Sequence, residues 1–336
     1  MLTLDRKFIE LSLYISELSV SLPNMPTKPL RLYKDISPGS SRLRNPGDDS
    51  PRVLIVGGGV TGLVTAWTLL DAGYHVTILA KEWATWTTAQ RLTSQIAGAL
   101  WEFPPAVCGK HTDKISLHYS KRWAMISYHI WRLLAEENIP GVAMKLAGFF
   151  FARPIEEDPE QLRKMKEIMS AGVEGFRRDA SLVEHRRVDA SYAGGVTDAY
   201  EFLSPVIDTD VAMEWLMQLV EAKGGNFVTE ELDTDLLLLE ESLRSRFGVD
   251  VIVNCTGLGS TTLAGDDSCY PLRGACIRII NDGKDFPKVE SALCITADAA
   301  VDNEIVFIVP RSNNILYLGG MLFSFVSATV LQSDRL

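Results

Sequence analysis

The chain has 336 residues, of which 46% are hydrophobic and 23% charged. It is long enough for one large or two ordinary domains, and its composition is that of a soluble globular protein. The formal net charge of −10 argues against nucleic acid or an anionic membrane as a partner. Five cysteines without Cys-x-x-Cys spacing and five scattered histidines predict reduced, mostly buried thiols in an intracellular protein and no metal site.

Residues 1–51 precede the first strand signal and are predicted to be an extension and linker. Three acidic residues interrupt the apolar stretch at 1–23, so it does not match the uninterrupted core of a secretory signal. Residues 23–51 are rich in Pro, Ser, Gly and charge, which is typical of a linker. We therefore expect residues 1–51 to be disordered or partly helical.

The stretch 53–80 predicts a strand, a glycine turn, a helix and a second strand. The apolar run VLIV is followed by Gly57, Gly59 and Gly62 in Gly-x-Gly-x-x-Gly spacing. The first glycine allows the tight turn, the second the approach of a pyrophosphate, and the third close packing of helix on strand. Free amides and the positive dipole end at Val60 and Thr61 would face the phosphates. This context favours a dinucleotide site over a structural turn.

The end of the second strand departs from the usual pattern. A carboxylate that binds the ribose is expected there, but the position holds Ala80, and the nearest acid is Glu82. Either Glu82 or the backbone would contact the ribose. Lys81 leaves open an alternative, a site for the 2′-phosphate of NADP.

The middle of the chain reads as helical and then mixed. Trp123, Ile126, Ile130 and Leu133 mark one apolar helix face, which is typical of core. Asp158-Pro159-Glu160-Gln161 is a helix start. A helix is expected over about 211–223 and a strand around Phe227. The charged stretch 230–246 is predicted to be a solvated face or hairpin, and 251–253 a buried strand.

Four segments together resemble the D-amino acid oxidase family of FAD-dependent amine oxidases. They are the glycine turn with TWTTAQRLTSQIAGALWEFPP after it, then VDVIVNCTGLGS, YPLRGACIRI and FIVPRSNNILYLGGM, in family order over residues 53–321. The resemblance implies a Rossmann-like α/β FAD domain (52–110 plus 225–270) interleaved with a mixed-sheet substrate domain (111–224 plus 271–321), α+β overall. It also implies that FAD is contacted by Thr87, Thr88, Gly98, Ala99, Leu100, Leu232, Thr256 and Gly257, beside Lys81 and Glu82.

The chemistry implied by the resemblance is oxidation of a D-amino acid. Hydride passes to flavin N5, oxygen is reduced to hydrogen peroxide, and the imine hydrolyses to a 2-oxo acid. An arginine should pair with the substrate carboxylate. The segment that carries it in the family, here TADAAVDNEIV, has none. Arg311 is the nearest candidate and Arg273 the second, each with an ordinary surface role as the alternative. Tyr200 is a candidate substrate tyrosine or a core residue.

The last residues, 322–336, do not resemble the family, and we expect a C-terminal truncation there. Two alternatives therefore stand beside the oxidase: a catalytically inactive flavoprotein fragment, and an NAD(P)-dependent reductase. The family's peroxisomal address is C-terminal, and Asp334-Arg335-Leu336 matches Ser-Lys-Leu poorly. A cytoplasmic or peroxisomal location is expected, and the oligomeric state is not indicated.

Overall fold

The fold is known from a computed structural model of the chain. It describes residues 35–86, 92–105, 113–188, 195–269, 271–296, 304–312 and 314–324. The predicted FAD contacts Thr87 and Thr88 and most of the C-terminal tail lie outside these ranges.

The described residues form strands and helices that alternate for much of the chain, and four consecutive strands end the described part. The strands are β1 (Arg52–Val56), β2 (His75–Ala80), β3 (Val142–Phe151), β4 (Arg177–Arg178), β5 (Asp198–Ile207), β6 (Asn226–Thr229), β7 (Val251–Asn254), β8 (Leu272–Ile280), β9 (Ala292–Thr296), β10 (Glu304–Pro310) and β11 (Ile315–Ser324). The helices are α1 (Val60–Asp71), α2 (Thr93–Ile96), α3 (Lys114–Glu136), α4 (Pro159–Ser170), α5 (Leu182–His185), α6 (Thr209–Ala222), α7 (Leu236–Phe247) and α8 (Ser260–Leu263).

The first sheet is parallel, with strand order β6-β2-β1-β7. Leu54 and Ile55 of β1 are fully buried, as expected for a central strand covered on both faces. The predicted strand at 251–253 exists as β7, but the prediction that it is buried is wrong. Val251 is 48% exposed, because β7 pairs with β1 on one side and no described strand pairs with its other side.

Helix α1 covers this sheet as the sequence predicts. Its buried side chains include Leu63, Trp67 and Leu70 at helical spacing. The helix ends at Asp71, and Gly73 follows with φ +87° and donates its N–H to the Leu70 carbonyl. This left-handed residue turns the chain directly into β2.

Helix α6 packs in the same hydrophobic core as α1, although the predicted boundary assigns it to the substrate domain. Met213, Leu216 and Val220 lie there with Leu63 and Trp67. The two parts of the chain therefore share apolar side chains at this junction.

The part of the predicted linker nearest β1 is held against α1 and α6. Asp71 accepts from the backbone N–H groups of Ser37 and Leu43. Arg42 donates to the carbonyls of Lys223, Tyr74 (3.1 Å) and Gly224 (3.1 Å). Residues 37–43 thus form a fixed strap across the helix ends rather than a free connection.

The second sheet is mixed, with order β4-β5-β3-β9-β10-β11-β8. Only the β3–β9 pair is parallel among its described ladders. Its core stacks Phe149 on Phe202 with ring centroids 5.0 Å apart, and α4 covers it with Met165 and Ile168. The predicted N-cap of α4 is confirmed, since the Asp158 side chain accepts from the N–H groups of Glu160 and Gln161.

The long helix α3 forms as predicted but with a different buried face. Tyr128 and Leu134 are its buried residues, whereas Trp123, predicted to lie in the core, is 62% exposed. Ala124 packs on the core in its place. Apolar residues occur on more than one face of α3, so spacing alone did not identify the face that packs.

Two further expectations are corrected by the structure. Most of the stretch 230–246 belongs to helix α7, not to a hairpin: the Asp235 side chain caps its start and Gly248, at φ +60°, ends it. The thiols are not mostly buried. Of the four described cysteines only Cys294 is buried, and Cys276 is exposed.

Candidate cofactor site

A cavity of about 830 Å³ lies at the carboxyl ends of β1, β2 and β7. Ligands bind at this edge of open α/β sheets. The wall residues come from four places in the chain: Val56, Gly57, Gly58, Gly59, Val60 and Thr61; Leu79, Ala80, Lys81, Glu82, Leu92, Thr93 and Ser94; Glu230, Glu231, Leu232 and Asp233; and Cys255, Thr256, Gly257, Leu258, Gly259, Thr262, Leu263 and Cys269.

Two positions of the turn require glycine, because the backbone approaches them too closely for a Cβ atom. A Cβ on Gly57 would lie 2.1 Å from the Cys255 carbonyl oxygen, and φ is +124°. A Cβ on Gly62 would lie 1.9 Å from the Gly57 oxygen. Gly57, Gly59, Val60 and Thr61 line the cavity, whereas Gly62 packs against the Gly57 oxygen. Their contact with FAD stays a prediction.

The start of α1 suits a negatively charged group. Its N-cap, Gly59, has no side chain to cap the first amides, and the first turn contains no acidic residue. These amides and the positive end of the helix dipole therefore face the cavity. Among them, the Val60 N–H donates to Ser94 Oγ over 3.0 Å. The glycine cradle and this donor set fit the pyrophosphate of FAD.

The wall at the end of β2 carries mostly carboxylates. Glu82, Glu230, Glu231 and Asp233 line it, and the one lysine, Lys81, pairs with Glu231 at 3.5 Å. Hydrogen bonds from Arg246 lower the pKa of Glu230, so this carboxylate is charged. A 2′-phosphate would meet like charges here, which disfavours the NADP alternative that Lys81 suggested.

Close packing accounts for the alanine that ends β2. A Cβ on Gly58 would lie 3.0 Å from the Ala80 Cβ and 2.8 Å from the Trp83 ring. Ala80 is only 5% exposed, so little room exists for a longer side chain. Glu82 is then the nearest acid to the strand end and lines the cavity, and its contact with the ribose stays a prediction.

The end of β7 contributes a turn that opens toward the cavity. Asn254 Oδ1 accepts from the N–H and the hydroxyl of Thr256 (3.1 and 2.7 Å). Gly257 has φ +57° and no neighbour within 4 Å of a Cβ built on it. Thr256, Gly257 and Leu232 all line the cavity, and the FAD contacts that the resemblance implies for them stay predictions.

Sequence reasoning missed Leu92, Thr93 and Ser94, which line the cavity. The predicted threonine contacts were placed a few residues earlier, at Thr87 and Thr88. The signal that could have found the site is the Thr-Ser pair directly before Gln-Ile-Ala-Gly-Ala-Leu-Trp. Hydroxyls at the start of a short helix are well placed to bind phosphate oxygens.

The predicted contacts Gly98, Ala99 and Leu100 are not in the cavity wall. Ala99, at φ +52°, accepts from the Ile207 N–H (3.1 Å), and Leu100 bridges to Val206 of β5. A Cβ on Gly98 would lie 3.0 Å from the Phe307 ring. This segment connects α2 to the mixed sheet, and its contact with FAD stays a prediction.

The two candidate catalytic side chains are both buried. Tyr200 is 1% exposed, among Phe149, Phe151 and Phe176, and burial raises its pKa. Arg311 is 6% exposed, and burial lowers its pKa. Their contact with substrate stays a prediction. The side chain of the second arginine candidate, Arg273, is outside the described part of the structure.

The glycine turn and the cavity at the strand ends are those of a dinucleotide-binding α/β protein. A family model for FAD dependent oxidoreductases, DAO, matches residues 52–335. The chain therefore belongs to this family, and its cofactor is FAD. The sequence resemblance and the α/β fold with a mixed sheet are both confirmed, but the family match also includes residues 322–335, which were expected not to resemble the family.

Curated relatives are similar over most of this chain. D-amino-acid oxidases of Rubrobacter xylanophilus and Streptomyces coelicolor are 28% and 30% identical over 269 residues, which cover 80% of this chain and 69% of each relative. The D-aspartate oxidase of Homo sapiens is 27% identical, covering 69% of this chain and 60% of the relative.

Solved structures share the fold at lower identity. Glycine oxidase from Geobacillus kaustophilus superposes with a TM-score of 0.57 at 19% identity, covering 82% of this chain and 72% of that one. L-α-glycerophosphate oxidase from Mycoplasma pneumoniae, with FAD bound, gives 0.56 at 14% identity and the same coverage. Within the described residues, no helix is long and apolar enough to cross a membrane.

Proposed function

We propose that this protein is an FAD-dependent oxidase of D-amino acids. The supporting observation is the similarity, over 80% of the chain, to two D-amino-acid oxidases, together with a cavity whose wall fits a dinucleotide. A D-amino acid, water and oxygen would give a 2-oxo acid, ammonia and hydrogen peroxide, through an imine that water hydrolyses.

Different residues of the chain would contact different parts of FAD. The amides at Gly59 to Thr61 and the hydroxyls of Thr93 and Ser94, which line the cavity, would contact the pyrophosphate. Glu82 is the candidate for the ribose and Leu232 for the adenine. Bound FAD supplies the acceptor for the two electrons of the substrate Cα–H bond.

The experiment is purification of the full chain, a visible spectrum, and a peroxidase-coupled peroxide assay. The panel contains D-alanine, D-valine and D-aspartate, with their L-enantiomers and glycine as comparisons. We expect bound flavin, peroxide from at least one D-amino acid, and a rate at least about tenfold lower with its L-enantiomer, the discrimination that one misplaced polar contact gives. Peroxide from L-amino acids alone would exclude the proposed substrate class.

The alternatives are separated by the same preparation. Bound flavin without peroxide from any substrate would identify the catalytically inactive flavoprotein. Titration with NADPH tests the reductase, which the carboxylate wall beside Lys81 disfavours. A cytoplasmic or peroxisomal location is part of the proposal and is tested by fractionation with marker enzymes.

A further inference from the structure

The helix α2 forms one wall of the cofactor cavity but is only a single turn. Thr93 and Ser94 of α2 line the cavity, and Ser94 Oγ accepts from the Val60 N–H at the start of α1. A helix of four residues is not stable on its own, because nucleation costs more than one turn returns. The position of this wall therefore depends on contacts outside α2.

Among the described residues, the side chains that donate to the carbonyl groups at the end of α2 come from α6, from the strand β11 and from the turn between β10 and β11. Thr209 Oγ1 donates to the Gln95 carbonyl (2.5 Å), and the Tyr317 hydroxyl to that of Ile96 (3.4 Å). Arg311 Nη2 donates to the next two carbonyls, Ala97 and Gly98 (3.0 Å to Gly98). A cation at the carbonyl end of a helical turn also complements its dipole.

Arg311 is itself fixed within the protein. Its Cζ lies 3.8 Å from the centroid of the Tyr317 ring, and Nη1 donates to Thr209 Oγ1 over 2.9 Å. The planar guanidinium thus contacts two backbone carbonyls, a hydroxyl and an aromatic face at once. A lysine ammonium cannot reproduce this arrangement, because it is a point charge without a fixed fork.

We propose that Arg311 is a positioning residue for the cofactor, which fixes α2, and with it Thr93 and Ser94, from the mixed sheet. The inference rests on the proposed function only in that the cavity holds FAD. It differs from a role in binding the substrate carboxylate. Three of the five guanidinium N–H groups already donate to protein oxygens, one from Nη1 and two from Nη2. The residue is only 6% exposed, so the guanidinium is directed at the protein and not at an open cavity.

The first test is hydrogen exchange of flavin-free full-length protein. Arg311→Met keeps the length of the side chain but removes its donors, and Arg311→Lys keeps the charge. The matched control is Arg186→Met. Arg186 directly follows α5 and has a side chain that is 24% exposed, and within the described part of the chain it bonds to Glu201 of β5 and to Ser291 and not to α2. We expect the amides of residues 95–97 to exchange at least about tenfold faster in Arg311→Met, as loss of one charged hydrogen bond predicts. Arg311→Lys should restore part of this protection.

The second test is FAD affinity, measured by quenching of flavin fluorescence on titration with protein. We expect the dissociation constant to rise at least about tenfold in Arg311→Met and to stay within about twofold in Arg186→Met. If Arg311→Met does not fold, Thr209→Val removes the hydroxyl between Arg311 and α2 and should give the same local change.

The outcomes separate this inference from the proposed function. Unchanged exchange at residues 95–97, an equal change in Arg186→Met, or unchanged FAD affinity would overturn the positioning role. Absence of peroxide from every D-amino acid, with wild-type protein still binding FAD, would overturn the proposed substrate class and leave the role of Arg311 standing.

Discussion

Replacing Lys223 by methionine should destabilise the protein severely, because it removes the cation from a fully buried ion pair. Lys223 Nζ lies 2.7 Å from Asp71 Oδ1, and both side chains are 0% exposed. Nζ also donates to the Ser41 carbonyl over 2.8 Å. Without it, the Asp71 carboxylate keeps only neutral donors: the N–H groups of Ser37 and Leu43 and the Trp67 indole.

The expected loss is about 3–5 kcal/mol, the usual cost of leaving one member of a buried ion pair uncompensated. Methionine retains the apolar stem of lysine, so a cavity contributes little. Asp71→Asn leaves the ammonium uncompensated instead. The double variant should therefore lose less than the sum of the two single losses, by about 0.5–3 kcal/mol, as for other residues in direct contact.

The assay is urea unfolding at neutral pH, followed by tryptophan fluorescence. Lys284→Met is the control, because its pair with Asp282 has a lysine side chain that is 83% exposed and should contribute less than about 1 kcal/mol. If Lys223→Met also costs less than about 1 kcal/mol, or if the two single losses add, the pair does not hold the strap and helices together as the structure indicates.

Two further predictions concern the glycine turn and an ion pair on the mixed sheet. Gly62→Ala should abolish most FAD binding, because the new Cβ would lie 1.9 Å from the Gly57 oxygen. The control variant Gly47→Ala, whose Cβ would have no neighbour within 4 Å, should bind FAD normally. Equal flavin content in the two purified variants would contradict this prediction. Hydrogen bonds from Arg178 lower the pKa of Glu156 to about 2. The pair therefore stabilises the folded protein fully above the pKa of glutamate in the unfolded chain, about 4.3, and this stabilisation is lost as the pH falls toward 2. The melting temperatures of wild type and Glu156→Gln should converge from pH 5 to pH 2, and a constant difference would refute the assignment.

The sequence predicted best where structure depends on nearby residues. The run from β1 through Gly57 and α1 to β2 was correct in its order of elements, because strand burial, glycine spacing and helix period are all local. Thr256 and Gly257 after β7, which the family resemblance pointed to, line the cavity, and their contact with FAD stays a prediction. Thr93 and Ser94 were missed because their position depends on α2, a single turn held by residues more than 100 positions away.

The sequence was a poorer guide for segments that carry apolar residues on several faces. The four leucines at 236–239 have no helical period, so α7 was not predicted. Leu236 is buried, whereas Leu237 and Leu238 are 79% and 78% exposed. Trp123 of α3 was likewise predicted to be buried but is exposed. Which apolar residue is buried depends on the tertiary partner, and the sequence of one helix does not contain that information.

The parallel sheet has a consequence for the order in which the molecule can assemble. The central strand β1 ends at Val56, and its neighbour β7 begins only at Val251. At a synthesis rate of about 5–20 residues per second, the ribosome needs roughly ten seconds or more to deliver that neighbour. During this interval the apolar edge of β1 is unpaired and the Cys255 carbonyl that closes on Gly57 does not yet exist. A nascent chain therefore cannot complete its coenzyme pocket until β7 and the turn at Cys255 have been made.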